Sequence, residues 1–413
     1  MSYGNSAHNV VAVGKSIFAS LALPRMGSVP VAGVPLSSGV TFTTRIPALD
    51  GLRGIAILLV LLWHAVFEVR PDSLVLRKLL GIGILSWSGV ELFFVLSGFL
   101  IGGILLDTCD SPRYFKTFYI RRAYRILPLY GVLVALYLLR FLPWNVTPAW
   151  LGDFSESRVP WFSYITFSQN IFMAYFCTFG VGAMVATWSL AVEKQFYLTA
   201  PVIVKRISRS KLVLVLAAVV IGVPLLRAVL HWTFRNGDFA NYLLMPCRAD
   251  TLSLGVLAAI MVRSPIWWNW LVKGKSKLYG IAGVLFATLG ALAYAGYGGA
   301  MNGPMVIFGY SCLGLFYTCI LLLAASQPSG LLQRALCSKG LMKLGVLAYC
   351  TYLFHLPTMA VWRRVLGICL PYSSYVTQFL GGAIGVVFTV VVAALSWRFV
   401  ERPLVAQGHA YKY

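Results

Sequence analysis

Charge is scarce in this sequence, and negative charge is scarcest: 12 Asp and Glu stand against 34 Lys and Arg, and all four types together make up 11% of the 413 residues. A soluble domain carries roughly a quarter of charged residues. With 59% hydrophobic residues and a mean hydropathy of +0.80, water is excluded as the main solvent. Metal and disulfide chemistry lack their signatures as well. The eight cysteines form no C-x-x-C pair or Cys/His cluster, and Cys312, Cys319 and Cys350 sit in apolar stretches where thiols pack. No metal is therefore expected. No G-x-S-x-G elbow, H-E-x-x-H helix or Walker loop is present either.

A formal net charge of +22 would suggest nucleic acid if the basic residues formed one soluble patch. They are instead confined to short stretches between apolar segments, from Arg113 to Arg125, Lys205 to Lys211, Lys273 to Lys277 and Arg334 to Lys343, as in cytoplasmic loops. Membrane lipid, and no nucleic acid, is the expected surrounding.

What the chain has in abundance is apolar runs of about 20 residues, the length that crosses a hydrocarbon layer of roughly 30 Å. They fall near 52–69, 84–106, 125–142, 186–204, 212–232, 246–263, 278–298, 304–325, 345–365 and 376–399. The expected fold is all-α, a polytopic transmembrane helical bundle of about ten spans with both termini cytoplasmic. Pro143, Trp144, Pro148 and Pro160 mark an outer loop, Trp267, Trp268 and Trp270 an interface, and the stretch 161–183 is read as re-entrant or surface-lying. The sequon Asn145-Val146-Thr147 is followed by Pro148 and carries no weight. Residues 1–44 show no convincing cleavage signal and are read as a loosely ordered cytoplasmic extension, 45–403 as the membrane domain and 404–413 as a short cytoplasmic tail. No inverted repeat is evident, which disfavours a carrier.

Ionisable groups in lipid are costly, so each one within a span is a functional candidate. The reading finds Arg53 and His64 in the first helix, Glu91 in the second, Glu193 in the fourth, Asp250 in the sixth and His355 in the ninth. Arg53 and His64 are eleven residues apart, which returns them to nearly one face with roughly 16 Å between them along the axis. A histidine titrates near working pH and suits abstraction of a hydroxyl proton, although a histidine bonded to a neighbouring helix looks the same. Glu68, one turn beyond, either orients that ring or is solvated at the helix end. Glu193 lies in a polar stretch with Trp188, Ser189 and Tyr197, where the competing reading is an ion pair with Lys194 or Arg248.

Arg121, Arg122 and Arg125 stack at i, i+3 and i, i+4 and can fork phosphate oxygens, such as those of coenzyme A or a nucleotide. Lipid headgroups and retention signals would call for the same cluster. The segment from Glu91 through Ser97 to Gly102 mixes small and aromatic residues, as close helix packing alone would require.

At this point the motifs resemble those of the acyltransferase-3 family of membrane acyltransferases, which O-acylate surface polysaccharides, peptidoglycan, lipid-linked sugars and some macrolides. The resemblance covers residues 46–403. It rests on Leu49-Asp50-Gly51-Leu52-Arg53-Gly54 with His64 ten intervening residues after Arg53, on Gly89-Val90-Glu91-Leu92-Phe93-Phe94 with Ser97-Gly98-Phe99, on Arg121-Arg122-Ala123-Tyr124-Arg125-Ile126, and on Trp188-Ser189-Leu190-Ala191-Val192-Glu193 with Phe196-Tyr197. Tyr349 to His355 and Glu401-Arg402-Pro403 are similar to weaker family patterns. The resemblance implies His64 as the catalytic histidine, with Arg53 supporting it or the donor, Glu193 joining the catalytic set on the acceptor side, Arg121, Arg122 and Arg125 near acyl-CoA, and Glu91, Ser97, Trp188, Tyr197 and His355 as substrate contacts. It further implies acyl-CoA as donor, acetyl-CoA by family frequency with a longer acyl chain left open, an extracytoplasmic glycan or lipid-linked sugar as acceptor, and a bacterial cytoplasmic (inner) membrane location.

His64 would act as general base or as an acyl carrier. Some family members append an extracytoplasmic hydrolase-like domain; this chain runs to Tyr413 without one, so direct acylation or a separate partner is expected. The rival from another class is a transporter or flippase for a lipid-linked sugar, whose buried charges line a path. A catalytically silent partner of another synthase is a third reading. The sequence chooses neither the sugar nor an oligomeric state.

Overall fold

The computed structural model describes residues 46–67, 81–139, 158–372 and 374–413. The extension read over 1–44 lies outside them, as do Glu68 and the outer-loop residues Pro143, Trp144, Asn145 and Pro148. Regular structure among the described residues is entirely helical. In chain order the α-helices are α1 (Pro47–Leu62), α2 (Gly89–Thr108), α3 (Tyr114–Leu138), α4 (Trp161–Ile165), α5 (Gln169–Phe176), α6 (Thr187–Arg206), α7 (Arg209–Thr233), α8 (Gly237–Leu243) and α9 (Ala249–Met261). The chain continues through α10 (Pro265–Lys273), α11 (Lys275–Leu292), α12 (Tyr310–Ser326), α13 (Leu331–Leu336), α14 (Lys339–Val346), α15 (Ala348–Gly367), α16 (Tyr375–Ser396) and α17 (Arg402–Ala410). Local sequence explains several starts. Pro47 and Pro265 occupy first-turn positions where a missing N–H does no harm, and Ser374 accepts the Thr377 N–H at 3.1 Å as the cap of α16.

Six stretches among the described residues are long and apolar enough to cross a membrane: Pro47–Phe67, Gly83–Thr108, Arg209–Thr233, Lys275–Tyr297, Met305–Ser326 and Tyr375–Ala410. The number rises to eight when Gly237–Leu243 with Met245–Met261 and Lys339–Val346 with Ala348–Gly367, bent by 69° and 76°, each count as one span. Helices α3 and α6, at 25 and 20 residues, are also long enough, but their polar residues keep them out of that apolar set.

Burial separates an inner from an outer ring. In the most apolar window of the α2 stretch 78% of residues are buried and in that of α12 67%, against 28% for α7 and 17% for α11. Val284 and Phe286 of α11 accordingly point outward. The inner helices touch closely through small residues. Gly98 of α2 lies on the Leu252 carbonyl and Gly255 of α9 on the Val95 carbonyl, so a Cβ at either position would collide with the opposite backbone.

One expectation needs correction. The basic stretch from Arg113 to Arg125 is the first half of α3 rather than a loop, because Tyr114 and Phe118, one turn apart and both buried, give it an apolar face. The tail read over 404–413 falls largely within α17, which packs on α3, and Thr117 donates to the Lys412 carbonyl at 3.0 Å. Between 161 and 183 the chain forms α4 and α5, five and eight residues long and too short to span. Gln169 and Asn170 tie α5 inward by donating to the Thr187 and Leu243 carbonyls at 2.9 and 3.1 Å.

Candidate active site

Helices α1, α2, α3, α6, α14 and α15 surround a cavity of about 140 Å³. Its charged wall comes from Arg53 on α1, Arg122 and Arg125 on α3, and Glu193 and Lys194 on α6. Four cations thus face one carboxylate. Asp50, one turn before Arg53, binds that guanidinium at 2.6 Å and offsets one of them. Glu193 is fixed from both sides: Ser97 of α2 donates to its Oε1 at 2.7 Å, Tyr197 donates to the same oxygen, and the Lys194 ammonium stands 3.5 Å from Oε2. The Lys194 ammonium also lies 4.1 Å from the centre of the Tyr197 ring. Arg122 keeps a buried Nε with no hydrogen-bond partner among the described residues. Buried donors are almost always satisfied, so an open guanidinium edge on a cavity with excess positive charge is suited to an anionic ligand.

The lining also has an apolar part, with Val90, Phe93 and Leu96 of α2, and includes Tyr352 of α15, whose hydroxyl meets Ser189 Oγ at 2.5 Å and the Ala186 carbonyl at 3.1 Å. Behind it stand two histidines. His355 Nδ1 lies 2.7 Å from the Tyr352 carbonyl, and its Nε2 is buried without a hydrogen-bond partner among the described residues. The His64 ring packs edge-on against it with centroids 4.9 Å apart. His64 sits in a π-helical turn, Trp63–Phe67, that ends α1. Its Nδ1 lies 2.9 Å from the Val60 carbonyl, and its own carbonyl accepts from Arg363 at 2.7 Å. A carbonyl only accepts, so both rings carry the proton on Nδ1 and present Nε2 as the basic nitrogen.

A second set of charges lies apart from this cavity. Glu91 of α2 pairs with Arg248 at the start of α9 and accepts from Thr251 at 3.1 Å. Arg227 of α7 pairs with Asp250 at 3.0 Å, and Ser311 of α12 bonds both. These four ions are buried. The Arg248 guanidinium is sandwiched by aromatics, 3.7 Å from the Tyr310 ring centre and 5.6 Å from that of Trp188.

The structure therefore sorts the candidates read from sequence. Arg53, Arg122, Arg125, Ser97, Glu193 and Tyr197 meet around one cavity. His64 and His355 meet beside Tyr352. Arg53 and His64 are kept apart by the rise of α1, about 16 Å, so the arginine does not reach the imidazole. Arg121 turns away from the cavity and donates through Nε and one terminal nitrogen to the Tyr411 carbonyl at 2.9 and 2.6 Å. Glu91 and Trp188 belong to the buried ion cluster rather than to the cavity wall, and Arg248 pairs with Glu91, not Glu193. Two residues that the sequence reading passed over occupy telling positions, Arg363 and Arg227, and both were detectable as charges inside apolar runs. Tyr352, quoted there only within a weaker pattern, comes to its place through long-range packing.

With this geometry in view, comparison with known proteins narrows the chemistry. Residues 46–398 match the acyltransferase domain family. Over 88% of its length the chain is 28% identical to a peptidoglycan O-acetyltransferase, OatA, of Listeria monocytogenes, and it covers 56% of that protein. It is likewise 28% identical over 88% of its length to O-acetyltransferase OatA of Staphylococcus aureus, of which it covers 58%. The chain thus spans somewhat more than half the length of these relatives. No solved structure matches it.

Proposed function

Since the chain belongs to the acyltransferase-3 family of membrane acyltransferases, we propose that it moves an acetyl group from cytoplasmic acetyl-CoA to a hydroxyl of an extracytoplasmic or lipid-linked glycan. The observation that carries this reading is the cavity itself, lined by four cations and by Tyr352, whose ring adjoins His355 and through it His64. The Arg122 and Arg125 end takes the donor phosphates, with Arg53 completing the positive rim. The relatives named as peptidoglycan and O-acetyltransferases support a glycan as acceptor.

In the topology that goes with it, the two bent pairs and helices α3 and α6 join the six apolar stretches as spans. Ten crossings of a bacterial inner membrane place both termini and the arginine end in the cytoplasm. The His64 end then faces outward, where the glycan arrives.

The chemistry follows from the tautomer. His64 Nε2 takes the proton of the sugar hydroxyl as its oxygen attacks the thioester carbonyl. The Val60 carbonyl on Nδ1 orients the imidazole, and Arg363 holds the backbone carbonyl of the turn that carries it. The tetrahedral intermediate collapses by breaking the C–S bond, and the departing thiolate of coenzyme A leaves as the thiol once it has taken up the proton that His64 received. The products are the sugar ester and free coenzyme A.

Thiol release from acetyl-CoA by the purified protein, with an extracytoplasmic glycan fraction as acceptor, tests the reading. His64→Ala is expected to lower the rate by at least about 100-fold, the usual share of a general base, with folding intact. Release that survives the substitution would remove His64 from the mechanism. Absence of release by the wild type with every glycan fraction would overturn the enzyme reading in favour of transport.

A further inference from the structure

We infer that Tyr352, backed by Phe93, sets the size of the acyl group that this protein transfers. The inference rests on the donor-in-cavity reading above and adds to it the determinant of donor class.

Tyr352 forms part of two walls at once. Its ring lines the cavity that Arg122 and Arg125 also line, while its backbone carbonyl holds His355 Nδ1 at 2.7 Å and its ring lies 5.7 Å from the His355 ring. The Phe93 ring of α2, also on the cavity wall, meets the Tyr352 ring edge-on with centroids 5.8 Å apart. Both rings pack against the cluster of Ile57, Val60, Leu61, Ala65, Ala348 and Met359, to which the end of α1 around His64 contributes. The pair of rings thus stands between the cavity and the segment that carries the reactive imidazole.

The Tyr352 ring is also pinned. Its hydroxyl is held from α6 by Ser189 Oγ at 2.5 Å and by the Ala186 carbonyl at 3.1 Å. A flexible side chain such as Met would yield to a longer substrate, whereas a ring held at its far end does not. A thioester whose phosphates rest on the arginines lays its acyl group against this ring where the carbonyl carbon meets a hydroxyl activated by His64. An acetyl group presents one methyl to that wall, and each further methylene must displace a fixed aromatic edge. Size exclusion by a packed wall discriminates by roughly 10- to 200-fold per methylene.

The experiment compares kcat/KM for acetyl-CoA, butyryl-CoA and hexanoyl-CoA with the same glycan acceptor, using the full chain in detergent. The wild type is expected to favour acetyl over butyryl by more than about 10-fold. Tyr352→Leu should bring that ratio close to one by raising turnover of butyryl-CoA, and Tyr352→Phe, which keeps the ring, should retain the acetyl preference. Phe93→Leu probes the same wall from another helix and serves where Tyr352→Leu does not fold. A wild type that uses the longer donors as readily as acetyl, or Leu variants that remain acetyl-selective, would overturn the inference while leaving His64-dependent acetyl transfer standing. Loss of acetyl transfer in the wild type itself, or its persistence in His64→Ala, would instead overturn the underlying donor reading.

Discussion

Two regions of this molecule hold buried charge, and they solve the problem in opposite ways. Around the start of α9, Glu91 meets Arg248 and Asp250 meets Arg227, with Ser311 and Thr251 closing the set. Two acids and two cations balance in charge and join α2, α7, α9 and α12, although Arg248 Nη2 and Asp250 Oδ1 are buried there without a hydrogen-bond partner among the described residues. Around the cavity Arg53, Arg122, Arg125 and Lys194 outnumber Glu193 and Asp50. An excess of one sign beside open space is the condition for binding a counter-charge from outside, whereas a cluster balanced in charge is an adhesive between helices. Charge within a membrane domain is thus a poor marker of a site until its balance and its free volume are known.

The largest effect that would sharpen this contrast comes from the balanced cluster. Arg248→Ala leaves the Glu91 carboxylate buried without its partner, and breaking such a pair costs about 3–5 kcal/mol. Thermal unfolding in detergent should show a marked loss of stability. Replacing both residues together, as Glu91→Gln with Arg248→Met, should recover much of it, since removing both charges abolishes the uncompensated one. An Arg248→Ala protein as stable as wild type would mean that this region is not the adhesive its geometry indicates, and the contrast between the regions would collapse.

The cavity should respond in a different currency. Arg122→Ala or Arg125→Ala removes a charged donor to the thioester phosphates, worth about 1.5–3 kcal/mol, so KM for acetyl-CoA should rise roughly 10-fold or more while the unfolding temperature stays near that of the wild type. Added salt should raise KM more steeply in the wild type than in either variant, because the interaction it screens is already missing there. A fall in stability with KM unchanged would assign these arginines to structure, like Arg248.

Much of this arrangement was legible in the sequence where the signal is local. Apolar run length located the spans to within a few residues at most ends, as at Arg209–Thr233 and Met305–Ser326, because hydrocarbon thickness sets that length directly. The eleven-residue spacing of Arg53 and His64 correctly implied that they stand apart along one helix. Where the reading failed, the cause was tertiary. The polar start of α3 was taken for a loop because its buried Tyr114 and Phe118 are hidden among basic residues. That Glu91 meets Arg248, and that Tyr352 stands between the cavity and the two histidines, follow from helix crossings such as Gly98 on Gly255, which no single stretch encodes.

The smallest expected effect concerns Arg121 and tests how far neighbourhood in sequence misleads. Arg121 and Arg122 are adjacent, and both were candidates for the donor phosphates. On a helix one residue is a turn of about 100°, enough to send Arg122 to the cavity and Arg121 to the Tyr411 carbonyl and the Tyr413 ring, 4.8 Å from its guanidinium carbon. Arg121 is only partly buried there, and exposed charged contacts contribute little to stability. Arg121→Ala should therefore leave KM for acetyl-CoA within about twofold of wild type, since the phosphates lose only a distant, partly screened charge. Steady-state kinetics alongside Arg122→Ala provides the check. Equal damage from the two substitutions would show that the chain end yields to the donor and releases Arg121 to it, which would extend the cationic region beyond the cavity and redraw its boundary with the rest of the molecule.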